Sequence, residues 1–139
     1  MAHENCIFCK IIKGDIPSYT LYEDEDFKVF MDIAPATKGH ALVVPKQHYA
    51  SIYEIEPEIL GNAVKVGQKV IKHATKVLGC EGYNLMQNNG EVAGQTVFHF
   101  HLHLIPRYES MDNTNLLNFV PGASDSEALK ALCEQLKVD

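Results

Sequence analysis

The sequence predicts an α+β domain, an antiparallel sheet of about five strands carrying one long helix, and three observations predict it. Short runs rich in β-branched and aromatic residues recur between turn signals at 19–22, 27–31, 41–45 and 82–88. One long stretch, Pro57 to Leu78, repeats its apolar residues at helical spacing. The segment Val97 to Ile105 alternates strictly, with Phe98, Phe100, Leu102 and Leu104 set between His99, His101 and His103, and period 2 is the period of a strand. Such a strand buries the Phe and Leu set and lines the three histidines along its other face.

Residues 5–13 read as a short helix. Asn5 is a good N-cap, Gly14 a good stop, and Ile7, Phe8, Ile11 and Ile12 share a face, which sets Cys6 and Cys9 one turn apart. Asp15 to Ser18 is a turn. Tyr19–Tyr22 and Phe27–Met31, separated by four acidic residues, form a hairpin, and Asp32-Ile33-Ala34-Pro35 closes the second strand. Ala41–Pro45 is the third strand. The helix from Pro57 to Leu78 tolerates proline in its first turn and stops at Gly79; Gly67 within it costs about 1 kcal/mol against alanine and marks a close helix approach. Gly82–Asn88 is the fourth strand, Asn89-Gly90 a turn, and 97–105 the fifth strand, ended by Pro106. Residues 107–123 read as loop. Ser124 and Glu127 offer a capping box to a last helix with Leu129, Leu132, Cys133 and Leu136 on one face.

At 139 residues the chain is long enough for one core without disulfide staples, and nothing in it marks a boundary, a repeat or a linker, so 1–139 is expected to be one domain. A net charge of -6 argues against a general nucleic-acid binder, which needs clustered basic residues to displace counterions from phosphates. A small anionic ligand held by local amides, hydroxyls and histidines remains open. With no basic-then-apolar leader and no apolar run of membrane-spanning length, a cytoplasmic protein that does not engage the membrane is expected. In a reducing compartment the Cys6-x-x-Cys9 pair reads as a metal or redox site, or as two small buried residues.

His99-Phe100-His101-Leu102-His103 resembles the His-x-His-x-His pattern, with x apolar, of the histidine triad (HIT) superfamily of nucleotidyl hydrolases and transferases. Four further segments resemble that superfamily in its order: Ile7–Ile12, Phe30–Pro35, Gly39–His48 and Gly94–Val97. The resemblance covers roughly 5–108 and implies a HIT-like fold, leaving 109–139 as an extension that either completes the core or extends a dimer contact. It also implies a chemistry: His101 attacks the α-phosphate of a purine nucleotide conjugate and forms a covalent nucleotidyl-histidine that water cleaves. Imidazole, with an ordinary pKa near 6.5, is largely neutral and nucleophilic at pH 7.

By the same resemblance His103 contacts the phosphate and assists proton transfer. Gln95, Thr96 and Asn88 donate to phosphate oxygens or the leaving group, a use of placed donors that is worth a few kcal/mol at a developing charge. Asp32 binds the ribose hydroxyls, and Phe8, Ile16, Phe30 and Ile33 form the base and sugar pocket. In zinc-containing members the metal ligands correspond to Cys6, Cys9, His48 and His99; a closed four-ligand site makes that Zn²⁺ structural. A homodimer is implied. The ending after the triad, Pro106-Arg107-Tyr108, is closer to dinucleoside polyphosphate hydrolases, whereas Ile7-Phe8-Cys9-Lys10 is closer to phosphoramidases, so both leaving groups stay open. A nucleotide- or zinc-binding regulator with little turnover is the alternative of a different class, and a zinc hydrolase with all three triad histidines on one metal is a third reading. His3, His40 and His73 have no partner that the sequence identifies.

Overall fold

The computed structural model describes residues 3–110 and 125–138. Its elements are α1 (Ile7–Lys13), β1 (Thr20–Glu23), β2 (Phe27–Met31), β3 (Ala41–Pro45), α2 (Pro57–Leu78), β4 (Gly82–Met86), a single 3₁₀ turn (Glu91–Ala93), β5 (Leu102–Arg107) and α3 (Ser126–Leu136). The five strands form one antiparallel sheet in the order β1-β2-β3-β5-β4. The α+β architecture expected from the sequence is the one observed.

Both faces of the sheet are covered, and its central strand β3 is apolar at every position. Phe27, Val29, Ala41, Val43, Leu102 and Leu104 point to one face, where α2 packs Ala63 and Val66 against them. Phe30, Leu42 and Val44 point to the other, under Phe8 and Ile11 of α1. A strand buried on both sides has no polar alternation to show, and all five residues of β3 are buried.

α2 spans the predicted residues, starts with Pro57 in its first turn and stops at Gly79. At Gly67 a Cβ would lie 3.2 Å from Leu104 Cδ2 and 3.6 Å from Leu102 Cδ2. The close approach is therefore to the sheet and not to another helix. It brings α2 onto β5, the strand that carries His103.

Four local expectations are corrected. The N-cap of α1 is Cys6, not Asn5: the Cys6 sulfur accepts from the Cys9 amide at 3.4 Å, since a thiol one residue nearer the helix reaches the free amide. The paired part of the last strand is Leu102–Arg107, so the segment 97–101 is extended but lies outside the ladder, its Phe100 amide donating to Tyr49 O at 2.6 Å. Pro106 lies inside β5, opposite Tyr83. Pairing with β3 has already ended at Leu104, so proline removes no bond on that side. α3 is capped by Asp125, whose carboxylate accepts from Glu127 N at 3.2 Å. Ser124 and most of the expected loop (111–123) lie outside the described residues. No residue of α3 is buried, so this helix does not complete the core; Leu129, Leu132 and Leu136 are exposed.

Gly67→Ala is expected to change stability by less than about 1 kcal/mol, because the gain in helix propensity offsets a contact that the Leu104 methyl can relieve. Gly67→Leu is expected to cost about 1–3 kcal/mol by overpacking the α2–sheet interface. Urea denaturation of the two variants measures both, and an unaffected Gly67→Leu protein would contradict the packing described here.

Candidate functional site

Alternation through residues 99–103 survives although only part of the segment is paired. Phe100 is buried on the α2 side, while His99, His101 and His103 face the α1 side. That face is not open: His99 is 0% and His101 6% exposed, because α1 lies over them. Phe8 supplies much of the cover, with its ring edge-on to His101 at 5.0 Å and to His99 at 5.9 Å between centroids. Phe98, expected in the core, is half exposed because the pairing that would have carried it inward has not begun.

Each histidine of the site has one ring nitrogen committed to the backbone or to a neighbouring ring, and that commitment assigns its proton. His99 Nε2 lies 2.8 Å from Pro45 O, so it must carry hydrogen, and the Nδ1 lone pair is left facing the two thiols. His101 Nδ1 donates to His99 O at 2.7 Å, which leaves Nε2 unprotonated. His40 Nδ1 accepts from the Ala36 amide at 3.0 Å, which puts the His40 proton on Nε2. That Nε2–H donates to His103 Nδ1 at 2.9 Å, so neutral His103 carries its own proton on Nε2. Burial, the largest cause in every case, holds His40 and His101 below the ordinary imidazole value and pushes His99 and His103 down to about 4. All four rings are neutral at pH 7.

His40 is the residue that sequence reasoning missed. It sits at the foot of β3, after Gly39, whose φ of +95° and whose Cβ position, 2.6 Å from Leu78 Cδ1, both exclude a side chain. Register is what brings His40 to the triad: Ala41 pairs with Leu104 and Leu42 with His103. Only the β3–β5 pairing carries that signal. Asp32 closes the group, with Oδ2 3.6 Å from His40 Nε2 and Oδ1 accepting from Ala34 N at 2.9 Å.

A cavity of about 570 Å³ opens over these rings. Of the residues expected to bind a nucleotide, Phe8, Ile16, Phe30, Asp32, Ile33, Thr96 and His103 line it, and so does His101. Gln95 and Asn88 are not among its lining residues. Gln95 is 2% exposed, accepts from Gly90 N at 2.8 Å, and gives its amide hydrogens to Ala50 O at 2.7 Å and Val97 O at 3.0 Å. Its side-chain donors are spent on the loop that leads into the triad, so the expected phosphate contact is corrected to a brace. Asn88 lies against the same loop, its Nδ2 3.5 Å from where a Gly94 Cβ would stand.

Cys6, Cys9, His48 and His99 converge, with their donor atoms all within 4.8 Å of one another. Cys6 Sγ and Cys9 Sγ are 3.4 and 3.5 Å from His99 Nδ1, and Cys9 Sγ is 3.3 Å from His48 Nδ1. Tetrahedral zinc with two sulfur and two nitrogen ligands separates unlike donors by about 3.5 Å, so the set fits that ion. Burial raises the Cys6 thiol, so a cation is what would hold it as thiolate. The three triad histidines do not share one centre: His99 faces the thiols, whereas His101 and His103 face the cavity. His3 stacks on His48 at 3.6 Å.

Residues 13–110 match the HIT domain family. The adenosine 5′-monophosphoramidase hnt1 of Schizosaccharomyces pombe is 48% identical over 103 residues, 74% of this chain and 74% of that protein. The crystal structure of SMU.412c from Streptococcus mutans UA159 superposes with a TM-score of 0.87 at 41% identity, covering 97% of this chain and 85% of that one. A Zn-bound histidine triad family protein from Mycobacterium smegmatis superposes with a TM-score of 0.74 at 39% identity, covering 95% of each.

The depressed value of His103 has a consequence for stability. Between pH of about 6.5, where an unfolded histidine titrates, and about 4, the unfolded chain holds a proton that the folded chain does not, so stability is lost as pH falls through that window. Thermal unfolding followed from pH 7 to 4 is expected to show a falling Tm, with a shallower slope in His103→Asn. Equal slopes would contradict a buried neutral His103.

Proposed function

The chain belongs to the HIT domain family, and from that premise we propose that it is a nucleotidyl hydrolase or transferase acting at the α-phosphate of a purine nucleotide conjugate. The observation that carries this reading is the hydrogen bond from His101 Nδ1 to His99 O, which presents an unprotonated Nε2 in a cavity of nucleotide size. In the first step the Nε2 lone pair bonds to phosphorus while the bond from phosphorus to the leaving group breaks. The departing group takes up a proton as it leaves; water then attacks phosphorus and gives up a proton to solvent while the P–N bond breaks and its electron pair returns to Nε2.

The neighbours divide the remaining work. His103, held by His40 in the tautomer with hydrogen on Nε2, donates to a phosphoryl oxygen or to the departing group. The Thr96 hydroxyl, also in the cavity, is a second donor. Asp32 accepts from the ribose hydroxyls, and Phe8, Ile16, Phe30 and Ile33 give the base and sugar an apolar wall. A low-dielectric cavity keeps His101 neutral at pH 7, which a nucleophile requires. Adenosine is favoured by the name of the Schizosaccharomyces pombe relative, and a phosphoramidate leaving group by the same name.

Cys6, Cys9, His48 and His99 are the residues that would hold Zn²⁺, a reading supported by the fit of their donor atoms and by the zinc-bound Mycobacterium smegmatis protein. Bound there, the ion supplies a structural tie between α1 and the triad segment, since four protein ligands leave no position for a reacting water. β4 is an edge strand, the feature that favours pairing of two copies.

Intact mass measured after rapid quenching with adenosine 5′-phosphoramidate is expected to show a transient adenylyl adduct that His101→Ala lacks, with turnover in that variant lower by roughly 10⁴-fold or more. Tight AMP binding with neither adduct nor AMP release would replace this reading with that of a nucleotide-binding regulator. Metal analysis is expected to find one zinc per chain. Cys9→Ala should lose it and with it about 3 kcal/mol or more of stability; full zinc retention by Cys9→Ala would exclude the proposed ligand set.

A further inference from the structure

Among the described residues, Nη1 of Arg107 is the one buried side-chain polar atom without a hydrogen-bond partner. No carboxylate of the described residues forms an ion pair with this guanidinium either. Burial lowers its pKa, yet a guanidinium stays charged at any pH at which the protein is folded. A charge that is partly withdrawn from water and left without a counter-charge is costly, and buried donors in native structures are otherwise satisfied. A place kept for an anion accounts for the exception.

The sheet sets the position of that charge. Leu102 and Leu104 face α2, and Pro106 Cγ crowds the same Gly39 position as Leu78 Cδ1 of that helix, so His103, Ile105 and Arg107 share the opposite face. Arg107 Nε donates to Asn84 Oδ1 at 2.5 Å, and Asn84 pairs with Ile105, so the side chain is turned back towards the triad. It ends one same-face step, about 7 Å, from the row in which Met86 pairs with His103. His40, lowered first by burial, is lowered further by the Arg107 charge, which therefore lies near the ring that holds His103. Arg107 is not in the cavity lining but beyond His103, on the β4 side of β5, whereas Asp32 and the apolar wall lie on the β2 side. A group that leaves past His103, away from the nucleoside, runs over Ile105 towards Asn84 and Arg107.

We propose that Arg107, anchored by Asn84, is a subsite for an oxyanion carried by the departing group, so that the preferred substrate loses a group bearing its own carboxylate or phosphate and ammonia is a truncated version of it. The planar fork of the guanidinium suits either oxyanion, and Nη1 gains the acceptor it lacks. The Nε bond to Asn84 fixes the plane of the fork before the ligand arrives. Use of the subsite in catalysis rests on the function proposed above; binding of the anion at Arg107 does not.

The test uses adenosine 5′-phosphoramidates that differ only in the amine: propylamine, β-alanine or 2-aminoethylphosphonate. The two charged compounds are expected to exceed the propyl compound in kcat/KM by about ten-fold or more, the worth of a charged hydrogen bond. A larger gain with β-alanine assigns the natural oxyanion as carboxylate, and a larger gain with the phosphonate assigns it as phosphate. Arg107→Gln should bring the charged-to-neutral ratio close to one, while Arg107→Lys, which keeps the charge and loses the fork, should retain part of it. Asn84→Ala should lower the ratio as well, and it covers the case in which Arg107→Gln fails to fold. In the His101→Ala protein, where the compounds stay intact, their dissociation constants should fall in the same order. Equal values for all three compounds, or a preference that survives both Arg107→Gln and Asn84→Ala, overturns the subsite. Tighter, Arg107-dependent binding of the charged compounds by a protein that turns over none of the three upholds the subsite and overturns the hydrolase reading.

Discussion

The buried imidazole of His99 is the junction on which the rest of the structure depends. Its Nε2 donates to Pro45 O at the end of β3, its Nδ1 faces the two thiols at the start of α1, and its backbone carbonyl accepts the Nδ1 proton of His101. One residue thus ties the sheet, the N-terminal helix and the nucleophile together. Because the ring is 0% exposed, no water competes for these bonds, and rotating it would orphan a buried carbonyl.

The site has a single logic from that point outward: a backbone group holds one face of a ring so that the other face has a defined state. Pro45 O does this for His99, His99 O for His101, and the Ala36 amide for His40, which passes the constraint on to His103. An imidazole in water exchanges tautomers freely. Here each tautomer is chosen by geometry, and burial keeps every ring neutral, so a lone pair and a donor are available side by side at pH 7 without a counter-charge.

The features legible in the sequence are those written in local periodicity or local chemistry. The 22 residues of α2 repeat at helical spacing and end at a glycine, and β2 and β3 are bounded by turns, so their limits coincide with the observed ones. The segment 97–105 misled in a specific way. Alternation reports which way side chains point, and that held for residues 99–104; it does not report where a partner strand begins, and pairing starts only at Leu102. Gln95 misled for another reason. Its type suits phosphate binding, but whether its amide hydrogens are free depends on Ala50 O, 45 residues earlier in the chain.

By itself the sequence determined the α+β class, the face on which the histidines stand, and the types of donor present. These follow from spacing along one chain segment, and spacing is a property of the sequence. The meeting of Cys6 and Cys9 with His48 and His99 was implied by the family resemblance and not by any local spacing. Tertiary structure alone decided that His40 and Asp32 join the triad and which nitrogen of each ring carries hydrogen. Those outcomes depend on strand register and on carbonyls and amides brought from distant segments, and register is set by how the whole core packs, not by any local run of residues.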